Sequence, residues 1–192
     1  MRKIDWAYIA GFFDGEGTVS IMVSEKLLDR RFFFSFRIAA AIPQKKKDVL
    51  ERIQSMMRKD VICRVSDRGN FCLLSVVGWQ ACRFYREIYP YSILKKKQIV
   101  ILLKEFVPLM KRTVNIHYSR DREMFWSEQR TVKDIIALFK IKERIDSLKG
   151  GRRGKYNVNY VRRIYGYKLR PNIDKRPQIE NMGTVNYPFS GC

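Results

Sequence analysis

The stretch Asp5–Gly17, DWAYIAGFFDGEG, limits what this chain can fold into more than any other. At about 3.6 residues per turn it divides into two sides. Trp6, Ile9, Phe12 and Phe13 fall on one side, and Ala7, Ala10, Gly11, Asp14 and Gly15 on the other. The aromatic side needs a core of its own domain. The opposite side repeats a small residue at every fourth position, Ala7, Gly11 and Gly15. Each glycine inside a helix costs about 1 kcal/mol against alanine. Small residues at this spacing let a second backbone come close. One face is therefore read as core and the other as a tight contact with another helix. Asp5 is placed as the N-cap, because its carboxylate can accept from the first free N–H groups.

Two acids, Asp14 and Glu16, close this helix between glycines read as terminators that permit positive φ. Carboxylates at a helix C-terminus meet the negative end of the macrodipole. The arrangement makes sense beside a cation. A carboxylate with a nearby main-chain carbonyl is an oxygen-only donor set, which suits Mg²⁺.

The run Ile9-Ala10-Gly11-Phe12-Phe13-Asp14-Gly15-Glu16-Gly17 resembles the LAGLIDADG motif of homing endonucleases. Its order is hydrophobic, Ala, Gly, two hydrophobics, acid, Gly, acid, Gly. There is no second copy of the motif in the chain, so the resemblance is to the single-motif, homodimeric type.

Composition points to the same kind of partner. A chain of 192 residues with 46% hydrophobic content can bury one domain's core. A net charge of +20 is tolerable mainly against a polyanion, so nucleic acid is the expected partner. An anionic membrane is the weaker rival, since no apolar run reaches the length of a span. Acids interrupt the N-terminal residues, which excludes a signal-peptide pattern. Cys63, Cys72, Cys82 and Cys192 contain no CxxC, and the lone His117 leaves no zinc set and little support for histidine-based nucleophilic chemistry. All four cysteines are read as reduced thiols. The expected setting is intracellular and reducing, either prokaryotic cytoplasm and nucleoid or an organelle-encoded protein of chloroplast or mitochondrion. No small-molecule cofactor is expected.

After Gly17 the period changes to two. Val19, Ile21 and Val23 alternate with Thr18, Ser20, Met22 and Ser24, as in a half-buried strand. Residues 25–31 are read as a basic connection, and a second strand as running from about Phe32 to Ile42, closed by Pro43. Phe34, Phe36, Ile38, Ala40 and Ile42 would face the core. A helix follows with Val49, Leu50, Ile53, Met56 and Met57 on its apolar side. Val61, Cys63 and Val65 start a shorter hairpin that turns at Asp67-Arg68-Gly69-Asn70 and returns through residues 71–77. A helix over Trp79–Ile88 ends before Pro90. Lys95-Lys96-Lys97-Gln98 opens another, and a long helical stretch is expected from Arg120 to Leu148, with a capping box if it restarts at Thr131 and Asp134. Residues 1–150 form the domain. Residues 151–192 are rich in Arg, Lys, Asn, Tyr and Gly, and are expected to be a largely extended basic arm that DNA orders in part.

The order α, β, β, α, β, β, α over the first ninety or so residues is that of the LAGLIDADG fold. The fold class is therefore α+β, with a four-stranded antiparallel sheet as a concave DNA-binding saddle and helices on its other face. On the open face the alternation places Thr18, Ser20, Ser24, Ser35, Arg37, Arg64, Ser66 and Arg68, with Met22, Phe33, Phe71 and Leu73 among them. Such a ribbon fits the major groove, where Arg reads guanine and apolar groups meet thymine methyls. Lys26, Arg30 and Arg31 are assigned to phosphates, which position without specifying.

The resemblance implies roles for individual residues. Glu16 matches the family's metal-binding acid, and the carbonyl of Gly15 its main-chain ligand. Asp14 matches the other acid and is assigned to bracing the helix end and the dimer contact. Gln44 matches a polar residue that holds active-site water. Lys95 matches a basic residue near the scissile phosphate, with Lys97 as its competitor. Two chains would pair through Ala7, Gly11 and Asp14, bringing two copies of Glu16 together over a pseudo-palindromic target. The implied activity is site-specific, Mg²⁺-dependent cleavage of both DNA strands leaving 3′ overhangs, with Mn²⁺ able to substitute. The alternative is an RNA-binding maturase on the same scaffold.

Overall fold

The computed structural model describes residues 3–28, 31–118, 124–128, 131–149 and 156–164. The opening helix α1 spans Lys3–Glu16. Strands β1 (Thr18–Leu28) and β2 (Arg31–Gln44) form a long antiparallel hairpin. Helix α2 (Lys47–Met57) leads to a second hairpin, β3 (Arg64–Asp67) and β4 (Cys72–Val77), and α3 spans Trp79–Ile88. The strands make one sheet in the order β1-β2-β4-β3, all pairs antiparallel. The αββαββα order and the antiparallel saddle are as read from the sequence.

The alternation in β2 and β4 sets the core. Phe34, Phe36, Ile38, Ala40 and Ile42 are buried, as are Cys72, Leu74 and Val76. Edge-on aromatic contacts join α1 to α3 through Phe13 and Phe84 at 5.3 Å, and the sheet to Phe139 through Phe34 and Phe36 at 5.2 and 5.1 Å. Leu50, Ile53 and Met57 bury the apolar side of α2. Cys63, Cys72 and Cys82 are free thiols, and burial pushes Cys63 and Cys82 up to about 11. Cys192 lies outside the described residues.

Several boundaries differ from the sequence reading. Helix α1 begins before Asp5, so Asp5 sits in the first turn, where an acid still suits the dipole. The hairpin arms run through most of the stretch read as a connection, pairing Leu27 with Phe32 and Leu28 with Arg31. A two-stranded ribbon can be solvated on both faces, so its tip need not alternate. Pro43 does not end β2. It pairs with Leu73 beyond the last β1 partner, where the strand has a neighbour on one side only and a proline is tolerated. The strand β3 starts only at Arg64, because side chains take the preceding backbone groups. Gln54 donates to the Cys63 carbonyl at 2.9 Å, and Gln80 accepts from the Ile62 amide at 3.2 Å.

The second half departs further. Helix α4 (Lys96–Ile101) passes into a π-helical turn at Leu102–Phe106 and on into α5 (Val107–Thr113). In that turn the Val107 amide reaches back to the Leu102 carbonyl. Pro108 follows at once; it lacks an N–H and its ring crowds the preceding turn, which a widened turn relieves. Within the helix expected from Arg120, residues 124–128 form a strand instead, β6 (Met124–Glu128), which pairs with β5 (Val114–Tyr118) before it. His117 lies on β5. Helix α6 (Val132–Ser147) then begins at the capping box, with the Thr131 hydroxyl accepting from the Asp134 amide at 3.1 Å.

The basic C-terminal segment is not wholly extended. A short helix, α7 (Val158–Ile164), packs Val158 and Val161 into the core. The Val158 amide donates to Glu143 at 2.9 Å, and the Tyr160 ring meets Phe34 edge-on at 6.4 Å. The segment has few apolar residues, but a domain that already has a core can seat two valines and two tyrosines. Among the described residues, no helix is long and apolar enough to cross a membrane.

Candidate functional site

The site is built at the C-terminal end of α1. The core stripe of this helix is Trp6, Ile9, Ala10, Phe13 and Asp14, all buried. That is the ordinary spacing of a buried helix face. It corrects the two-sided division read from the sequence, because Ala10 and Asp14 turn inward. The outer stripe is Ile4, Tyr8, Gly11, Gly15 and Glu16, all exposed. Ala7 and Phe12 lie between and are half-buried. A Cβ added at Gly11 or Gly15 would meet no atom within 4 Å. Among the described residues nothing therefore demands glycine at either place.

Gly17 is different. A Cβ there would lie 2.1 Å from Cδ2 of the Phe13 ring, so the close approach of the ring requires glycine. Among the described residues positive φ occurs at Gly69 and Gly78, not in the motif, which corrects the reason given for its glycines.

The two acids part company. Asp14 is 7% exposed. Its Oδ1 accepts from the Ser92 hydroxyl at 2.6 Å and the Lys95 amide at 3.1 Å. Its Oδ2 accepts from the amides of Ile93 at 2.5 Å and Leu94 at 3.1 Å. Burial pushes its pKa up, but these donors outweigh it and hold the carboxyl below its ordinary value. Asp14 is thus held by its own chain. Glu16, the last residue of α1, is exposed.

Lys95 reaches the end of α1. Its Nζ donates to the main-chain carbonyl of Asp14 and lies 5.8 Å from the centre of the Phe13 ring. Burial lowers its pKa, while Asp14 and Glu16 pull it part of the way back. Lys97, the competitor, is exposed on α4. Gln44 ends β2, three residues past Ala41, the partner of Thr18, and so sits at the same end of the sheet as Glu16. Its Oε1 accepts from the Lys45 amide at 2.8 Å, which leaves its amide hydrogens to donate elsewhere. Among the described residues no three His, Cys, Asp or Glu side chains cluster as a metal set.

The open face of the sheet carries rows set by register. Thr18, Ala41, Ser75 and Arg64 form one row, and Ser20, Ala39 and Val77 the next. Beyond them Met22 pairs with Arg37 and Ser24 with Ser35. Thr18, Arg37, Arg64 and Arg68 are exposed, and Ser20, Ser24, Ser35 and Ser66 half-buried. Met22 is 50% exposed, an apolar group offered to whatever lies on the face. Ser20 donates to the Ala39 carbonyl at 3.2 Å, so its lone pairs are what it presents outward. Ser75 was passed over in the sequence reading, although the alternation of β4 already turns it away from buried Leu74 and Val76. Lys26 and Arg31 lie on the hairpin arms, but their side chains, and the whole of Arg30, are outside the described residues.

No family model matches the sequence, and no curated protein matches it. Solved structures do. The homing endonuclease I-CvuI, crystallised with DNA targets in the presence of Mg or Ca, is 17% identical with a TM-score of 0.65 over 83% of this chain and 91% of its own. The archaeal intron-encoded homing endonuclease I-Vdi141I, complexed with DNA, is 21% identical with a TM-score of 0.60 over 82% and 92%. The group I intron-encoded I-CeuI, also complexed with DNA, is 13% identical with a TM-score of 0.55 over 83% and 74%. The chain has the fold of the LAGLIDADG homing endonucleases. Residues 9–17, which carry its likeness to the motif, form the end of α1 and the step into β1.

Proposed function

We propose that this protein is a site-specific DNA endonuclease of the homing type, acting as a homodimer with a divalent metal. The observation that carries the reading is the outer stripe of α1. It pairs two glycines with open space above them and an exposed acid at its end. Two such stripes laid together through Ala7 and Gly11, with Ile4 and Tyr8 alongside, would bring two copies of Glu16 to one place. Asp14 would support that contact from within by fixing the helix end.

The donor set fits a hard cation. Glu16 offers a carboxylate, and the last carbonyls of a helix, Gly15 among them, lack intrahelical partners. A bound Mg²⁺, or Mn²⁺ in its place, supplies an activated water and offsets charge on the phosphate. Gln44 holds water at the sheet's end through its free amide hydrogens. Lys95 places a cation where charge grows on the leaving oxygen. Thr18, Ser20, Ser24, Ser35, Arg37, Arg64, Ser66 and Arg68 read the groove, and Lys26, Arg30 and Arg31 take phosphates. The saddle of two chains would face a pseudo-palindromic duplex, cut on both strands to leave 3′ overhangs.

The test is to incubate the chain and Mg²⁺ with duplexes spanning candidate insertion sites, then look for a double-strand break. Glu16→Gln must remove the break and leave binding in place. A wild-type chain that binds RNA and cuts no duplex would replace this reading with the maturase.

A further inference from the structure

We infer that Asp14 is the positioning residue for Lys95: its carboxylate fixes the backbone before α4 and its main-chain carbonyl fixes the ammonium, so that the cation is set at the C-terminal end of α1. This rests on the function proposed above and names how its basic group is held.

Three successive amides, of Ile93, Leu94 and Lys95, converge on one carboxylate from 79 to 81 residues further along the chain. The Ser92 hydroxyl, 1% exposed, completes the set. Lys95 is the N-cap residue of α4 and provides no side-chain cap of its own. The carboxylate of Asp14, on a different helix, therefore fixes the two residues that lead into α4 and the amide of its N-cap residue. Lys95 is held twice by the same residue, once at its amide and once at its ammonium. One of the three ammonium hydrogens is used on the Asp14 carbonyl, and the others remain to donate. The ammonium also lies over the Phe13 ring, 5.8 Å from its centre. Glu16, two residues on, is near enough to act on Lys95 electrostatically. A lysine at an exposed helix start would sample many rotamers, as Lys97 is free to do. Lys95 is not so placed.

The experiment is single-turnover cleavage in Mg²⁺ of a duplex that the full chain selects from a randomised pool by cutting it. Asp14→Asn is expected to slow the rate constant about 100-fold while duplex affinity, measured in Ca²⁺, stays unchanged. In a Lys95→Met background the same change is expected to slow the rate less than about threefold. Equal losses in both backgrounds, or an Asp14→Asn chain as fast as wild type, overturn the inference. Should Asp14→Asn fail to fold, Ser92→Ala keeps the carboxylate and removes one donor. It should slow the wild-type chain about tenfold and the Lys95→Met chain not at all, and any other pattern overturns the inference. If the wild-type chain cuts no duplex, the proposed function fails first. The inference is then read from nuclear magnetic resonance of the full chain carrying Ser92→Ala. The amide signals of residues 93–95 and the Lys95 ammonium signal must shift together, and an unmoved ammonium signal overturns it.

Discussion

Asp14 and Glu16 stand two residues apart on one helix and have opposite surroundings. Asp14 has four protein donors on its two oxygens and almost no contact with solvent. Glu16 is exposed, and among the described residues none donates a hydrogen bond to its carboxylate. The rotation of a helix by about 100° per residue accounts for the split, since two steps carry a side chain from the core to the far side. The lesson is that the same chemical group serves architecture when its lone pairs are filled by its own chain, and function when they are left for something else. Chain chemistry alone does not separate them.

The comparison can be broken or sharpened by mutation. The largest effect is expected at Glu16. Glu16→Gln should slow DNA cleavage at least about 1,000-fold with little change in melting temperature, measured by a cleavage assay beside thermal denaturation. A large loss of stability would mean that Glu16, like Asp14, is structural. Next is the outer stripe. Gly11→Leu should weaken self-association about 100-fold, seen by analytical ultracentrifugation, while each protomer still folds, because a Cβ there meets no atom of the described residues within 4 Å. Gly17→Leu should fail to fold instead, since its Cβ would enter the Phe13 ring.

Asp14→Ala should destabilise the chain by about 2 kcal/mol, because four donors lose their acceptor, as measured by urea unfolding. The effect has a sign with pH. A carboxyl held below its ordinary value stabilises the fold fully above the unfolded value of 3.8. The stabilisation is lost as pH falls through the lower folded value. The difference between wild type and Asp14→Ala should therefore be flat at neutral pH and shrink only below the ordinary carboxylate range, in metal-free protein. The smallest effect is expected on the saddle. Arg37→Ala should cost about 1 kcal/mol of duplex binding and relax preference at the bases it reads, checked by a binding assay across single-base variants.

The sequence by itself determined the elements whose periods are strong. The alternation in residues 18–24 and 34–42 gave the strands and their buried faces, because side chains on a strand can face only two ways. The small residues at 11 and 15 marked an exposed helix surface, and Thr131 with Asp134 marked a helix start through purely local hydrogen bonds. Tertiary structure alone decided that Asp14 belongs to the buried stripe. Its donors come from residues 92–95, and no local rule links positions so far apart. It likewise decided that α7 docks: two valines cannot build a core, but they can complete one that Phe34 and α6 have already made. Local propensity reaches only as far as a turn or a strand, whereas burial depends on which distant surfaces meet.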